Sequence, residues 1–104
     1  MLHRLAFLAG LALVAAFPLA ARAAGAPPQV PLCASCHGNG GISGSPTIPS
    51  LAGQKQGYLE AALADYKNHK RLGSSADMMT GIAAQLSAAD MQALAAYYAS
   101  LKGS

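Results

Sequence analysis

Apolar and polar positions divide the 104-residue chain into two unlike parts. Residues 5–20 are apolar apart from one glycine and one proline, with no period. After residue 24 the apolar positions fall into helical spacing. Residues 24–31 are rich in alanine, glycine and proline and predict a loose lead into a domain. Residues 32–37 suit one or two helical turns. Residues 38–50 hold Gly38, Gly40, Gly41, Gly44, Pro46 and Pro49, a density that predicts an irregular loop. Over 57–71, Tyr58, Leu59, Ala62, Leu63 and Tyr66 recur at three- and four-residue spacing and predict a helix with one apolar face. Lys67, Lys70 and Arg71 fall in its expected last turn, where cations complement the helix dipole. A polar break over 72–77 follows, then a short helix over 78–86 weakened by Gly81. Ser87 with Asp90 three residues on predicts a capped start to a last helix reaching 101. Met91, Leu94, Ala95, Tyr98 and Leu101 share one side of that helix. The pattern predicts an all-α domain of three to five short helices with one Gly/Pro-rich loop.

The first part of the chain carries export chemistry. Met1-Leu2-His3-Arg4 is a short basic start, and Ala21-Arg22-Ala23 ends the apolar run in an A-x-A arrangement. This order predicts a secretory signal peptide over 1–23, cleaved after Ala23, and a mature domain over 24–104. A retained anchor is the alternative, but the run is shorter than the ~20 residues a spanning helix needs. Contact with a membrane is expected only if that segment is kept. Removing it changes the charge. The whole chain carries +3. Residues 24–104 set Lys55, Lys67, Lys70, Arg71 and Lys102 against Glu60, Asp65, Asp77 and Asp90, leaving +1. No basic stripe with interleaved aromatics remains, so nucleic acid is not an expected partner.

A domain of about 80 residues has a marginal apolar core and needs a staple. The two cysteines, Cys33 and Cys36, lie three apart, and a disulfide there would close a tiny loop of little entropic value. They belong to Cys33-Ala34-Ser35-Cys36-His37, the attachment signature for c-type haem. Cysteines at i and i+3 share a helical face, so both thiols can reach the two vinyl groups on one porphyrin edge. His37 then lies under the ring and can ligate the iron. Three other readings compete. A thioredoxin-like thiol site needs a βαβ context that this chain lacks. A structural zinc site needs four ligands, and within residues 24–104 His69 is the one histidine beyond the pentapeptide. A structural disulfide is a poor staple. Export supports haem, because covalent haem attachment takes place outside the bacterial cytoplasm.

The chain resembles the small class I bacterial cytochromes c. The resemblance rests on Cys33-Ala34-Ser35-Cys36-His37-Gly38, Ile48-Pro49-Ser50-Leu51-Ala52-Gly53-Gln54, Tyr58-Leu59, Met79-Thr80-Gly81-Ile82-Ala83, Leu86-Ser87 and Leu94-Ala95-Ala96-Tyr97-Tyr98. It is strongest to single domains of diheme cytochromes c and to the cytochrome subunit of flavocytochrome c sulfide dehydrogenase. One Cys-x-x-Cys-His means one haem here. The resemblance implies the cytochrome c fold, with one covalent haem c. It implies that the Pro49 carbonyl accepts a hydrogen bond from His37 Nδ1. It implies that Tyr97 packs the last helix against the first helix and the haem, and that Arg71 lies near a propionate. His69 stands where relatives often carry glycine, which bears on the turn before Leu72.

For the second axial ligand the resemblance favours Met79. Met78, its neighbour, is the chief alternative, with core packing as its other role. Met91 sits inside a strongly periodic helix, where packing is expected. His69 lies near a helix end beside Lys67 and Lys70, where a solvated histidine is expected. A six-coordinate iron leaves no open position for substrate, and no distal acid–base residue is evident. The resemblance therefore implies a periplasmic electron carrier, not an enzyme, with redox proteins as donor and acceptor. A partner could be a dehydrogenase or a terminal oxidase, and this chain could instead be a fixed subunit of such a complex. N-terminal sequencing of the exported protein is expected to begin at Ala24; a start at Met1 would establish a retained anchor.

Overall fold

The computed structural model describes residues 25–103. The expected signal peptide lies outside the described residues. Four α-helices carry the domain: α1 (Val30–His37), α2 (Gln56–Lys67), α3 (Ser74–Ala83) and α4 (Ala88–Ser100). A 3₁₀ turn, Asn39–Gly41, follows α1 directly. No strand occurs among the described residues, and no helix there is long and apolar enough to cross a membrane.

α2 packs against both α3 and α4. Leu59, Leu86, Leu94, Ala95 and Tyr98 are the buried cluster, with Val30, Leu51, Leu63, Met91, Tyr97 and Leu101 packed around it. All members of the cluster line a single cavity between the helices. The apolar faces thus meet around a space and do not interdigitate across it. Only small Ala83 in this core is fully shielded, at 0% exposure.

Three of the boundaries that differ from the sequence expectation have a local reason. α1 begins at Val30, two residues early, because Pro31 suits the first helical turn, where its missing N–H costs nothing. α2 ends at Lys67, not Arg71. His69 turns the chain with φ +57°, its N–H donates to Tyr66 O (3.1 Å), and Lys70 N–H donates to Asp65 O (2.8 Å). This is a Schellman closure, normally made by glycine. Histidine tolerates the left-handed region better than most side chains, so the turn survives the loss of glycine. Lys67 Nζ donates to Leu86 O, tying the end of α2 to the link between α3 and α4. α3 begins at Ser74, inside the expected polar break. Gly73 precedes it at φ +114°, and Asp77 adds a favourable charge to the first turn. The polar residues there solvate an exposed helical turn.

The start of α4 follows the sequence closely. Ser87 Oγ accepts from Asp90 N (3.0 Å), and Asp90 Oδ2 accepts from Ser87 N (2.9 Å). These bonds hold the Asp90 carboxyl below its ordinary pKa. The support they lend is therefore present above the ordinary carboxyl range and fades as acid protonates Asp90.

The loop after α1 rests on glycine at one close approach above all. Gly38 has φ +87°, and a Cβ there would lie 1.9 Å from Ile42 O. Gly38→Ala is expected to destabilise the domain by roughly 2 kcal/mol or more, measured by denaturant unfolding of the holoprotein. His69→Gly is expected to do the reverse, by about 0.5–1 kcal/mol, since it relieves a left-handed histidine. A loss of stability in that variant would show that the His69 side chain holds more than the turn.

Candidate haem site

Cys33, Cys36 and His37 occupy the last turn and a half of α1 and all line the cavity. Both thiols are free. Their positions follow from helical spacing, which sets i and i+3 on one face. Cys33 lies deeper, Cys36 at the exposed edge. Burial pushes the Cys33 thiol pKa up, offset in part by the neighbouring Tyr98 hydroxyl.

His37 is 8% exposed. Its Nδ1 lies 2.7 Å from Pro49 O, twelve residues along. A carbonyl can only accept, so Nδ1 carries the proton and Nε2 keeps its lone pair in the neutral ring. The loop is held in place to make this bond. Leu51 N and Ala52 N both donate to Gly41 O (2.8 and 3.0 Å), and Gly53 N donates to Tyr98 O (2.9 Å). Ser43 N donates to Ser50 Oγ (2.8 Å), and Gln54 Nε2 to Ser50 O (2.5 Å). The Gly/Pro-rich segment is thus a fixed wall carrying Ile48, Pro49 and Leu51 to the cavity.

α3 supplies Met78, Met79 and Ile82 to the cavity. Met79 shares its helical stripe with Ala83, four residues on and fully buried. Met78 lies about 100° round the helix and is 68% exposed. Met91, on α4, packs against the core cluster and does not line this cavity. His69 is exposed in its turn and does not line it either.

Arg71 stands on the wall beyond α2. Its Nη1 donates to Tyr66 Oη (3.2 Å), and its guanidinium lies 4.9 Å from the Tyr66 ring centroid. The Tyr58 and Tyr66 hydroxyls beside it favour its charged form further. Of the expected site residues, Cys33, Cys36, His37, Pro49, Met79 and Arg71 converge on one cavity. Tyr97 does not line it. Tyr97 packs edge-on against Tyr98, with ring centroids 5.1 Å apart and planes at 77°. Of the two adjacent tyrosines, Tyr98, 3% exposed, is the one that lines the cavity. The resemblance singled out Tyr97, whereas the apolar periodicity of α4 had already put Tyr98 with Leu94 and Met91.

The cavity measures about 930 Å³, at the upper end of the ~300–1,000 Å³ usual for sites that bury a small molecule. Its lining is dominated by leucine, isoleucine, methionine and tyrosine. Among the described residues no three His, Cys, Asp or Glu side chains cluster as a protein-only metal site requires. A large flat apolar group with its own metal suits this wall. Two free thiols, one oriented imidazole and a methionine are the attachments it would need. The donor set fits haem c.

Comparison with known proteins agrees with this chemistry. The cytochrome c family model matches residues 30–102. Cytochrome c-554(548) of Halomonas halodenitrificans is 39% identical over 72 residues, covering 69% of this chain and 87% of that protein. Cytochrome c4 of Stutzerimonas stutzeri is 39% identical over 82 residues, covering 73% of this chain and 39% of that protein. The thiosulfate dehydrogenase TsdBA structure from Marichromatium purpuratum superposes with a TM-score of 0.64 at 38% identity, covering 67% of this chain and 15% of that one. The chain therefore spans most of one relative and well under half of the others. The match over residues 30–102, together with an all-α fold that gathers Cys33, Cys36 and His37 on one cavity, establishes that this chain belongs to the cytochrome c family, whose members carry electrons on a covalently attached haem c.

Proposed function

We propose that this chain is a periplasmic one-electron carrier whose haem is held by Cys33 and Cys36 and ligated by His37 and Met79. The observation that carries this reading is the His37–Pro49 bond of 2.7 Å inside a cavity that Met79 also lines. Haem c, when bound, supplies a one-electron iron couple.

The chain's own residues do the rest. Pro49 O fixes the imidazole tautomer and makes Nε2 a stronger donor. Met79 projects from the buried stripe of α3, which favours it over the more exposed Met78. The apolar walls exclude water, one of the means by which a protein sets a haem potential. Arg71 puts a positive charge at the wall, suited to a propionate. Leu72, 86% exposed, and Met78 stand at the cavity margin with Leu32 and Tyr58. With a net charge near zero over 24–104, this margin suits brief apolar encounters with redox partners at the small end of interface size. Residues 1–23 would deliver the chain to the periplasm.

A second reading makes the chain a fixed subunit of a larger oxidoreductase. The TsdBA likeness favours it, because there the matched portion is 15% of a longer chain. Size-exclusion of native protein from its source separates the two: steady co-elution with a larger partner would defeat the free carrier.

The ligand set is tested by spectroscopy. The holoprotein is expected to show a c-type reduced spectrum and a methionine-to-ferric charge-transfer band. Met79→Ala should abolish that band, and Met78→Ala should keep it. Persistence of the band in Met79→Ala would refute the assignment.

A further inference from the structure

One positive charge at the cavity wall is held by an aromatic side chain and not by an acid. Arg71 Nη1 donates to Tyr66 Oη (3.2 Å), and the guanidinium carbon lies 4.9 Å from the Tyr66 ring centroid. Both residues line the cavity, and both are half-buried. The contact follows from the way α2 ends. In a continuous helix, residues five apart point about 140° away from each other. Tyr66 and Arg71 meet because the left-handed His69, with Lys70 N bonded to Asp65 O, turns the chain back. A guanidinium carries five N–H donors in a planar fork, and Tyr66 engages one of them. The Tyr66 hydroxyl accepts in that bond and keeps its own O–H to donate. A fixed cation beside a second donor, at the rim of an apolar cavity, is suited to a carboxylate.

We propose that Tyr66 is a positioning residue that fixes Arg71 against a haem propionate and so raises the reduction potential. This rests on the haem-carrying reading and takes the expected role of Arg71 one residue further. The direction follows from charge. Ferrous haem carries one positive charge fewer than ferric haem, so a cation held nearby favours the reduced form. An arginine free to swing into solvent would have its charge screened from the iron. The hydroxyl bond and the ring together hold the side chain at the wall, and the carboxylate would complete its pairing.

The experiment is a double-mutant cycle read by spectroelectrochemical titration of the isolated holoprotein. Covalent haem is verified first, by haem absorbance that stays with the denatured chain; its absence would sink the haem reading before this one is reached. Tyr66→Phe keeps the ring beside the guanidinium and removes the hydroxyl. At the ambient potential that half-reduces the wild type, it is expected to lower the reduced-to-oxidised ratio roughly threefold. That is a fraction of what a hydrogen bond to a charged group contributes, because both redox states keep part of it. Arg71→Leu should lower the ratio by itself, and adding Tyr66→Phe to it should change nothing more. An equal shift in both backgrounds would mean that Tyr66 acts by packing alone, and would overturn the proposal. So would a Tyr66→Phe variant with the wild-type potential. Proton NMR of the reduced, diamagnetic wild type supplies an independent measurement. Arg71 side-chain protons should show nuclear Overhauser effects to the Tyr66 ring and to one propionate methylene. Contact with only one of the two would overturn the proposal, so the wild type decides the matter even if Tyr66→Phe fails to fold.

Discussion

The hydrogen bond from His37 to the Pro49 carbonyl joins the two halves of the site. One partner sits on the last turn of α1, and the other on a loop with little regular structure. For the bond to form, residues 38–54 must return to the helix they leave. Gly38 and Gly41 bend the chain where a side chain would collide. Paired donations onto Gly41 O and the bond from Gly53 N to Tyr98 O then lock the return. The bond settles the imidazole tautomer, and the same loop delivers Ile48 and Leu51 to the cavity wall.

The helices complete what the loop begins. Their apolar stripes meet around a shared space lined by Leu59, Leu86, Leu94 and Tyr98. A domain of this size has little apolar area to spare, and here much of it faces the cavity. A covalently held apolar cofactor would resolve this, because core and site are the same set of side chains. The ring's burial and the protein's folding would then draw on the same contacts. That coupling explains why ordinary packing positions, such as Leu94 and Ala83, bear directly on where Tyr98 and Met79 point.

Much of this was legible in the sequence. Helix type and order followed from three- and four-residue spacing, and the Ser87–Asp90 cap was visible as a pair. The attachment site was readable because a covalent motif is local: three residues within five positions define it whatever the rest of the chain does. Boundaries were less readable. The Schellman turn at His69 and the early start of α3 depend on single dihedral choices that composition does not reveal. The resemblance pointed to Tyr97, while the structure turns Tyr98 to the cavity, since two adjacent helical residues differ by about 100° and only packing decides which faces inward.

The sequence by itself determined an all-α domain, a covalent haem motif and a short list of candidate ligands, because each rests on spacing within one or two helical turns. The tertiary structure decided which members of that list converge. Pro49 and His37 are twelve residues apart, and Met79 lies about forty residues beyond His37. Contacts over such distances follow from how helices pack and loops return, which no local pattern encodes. The burial of Tyr98 belongs to the same class of fact: it exists only once α4 packs into the core cluster.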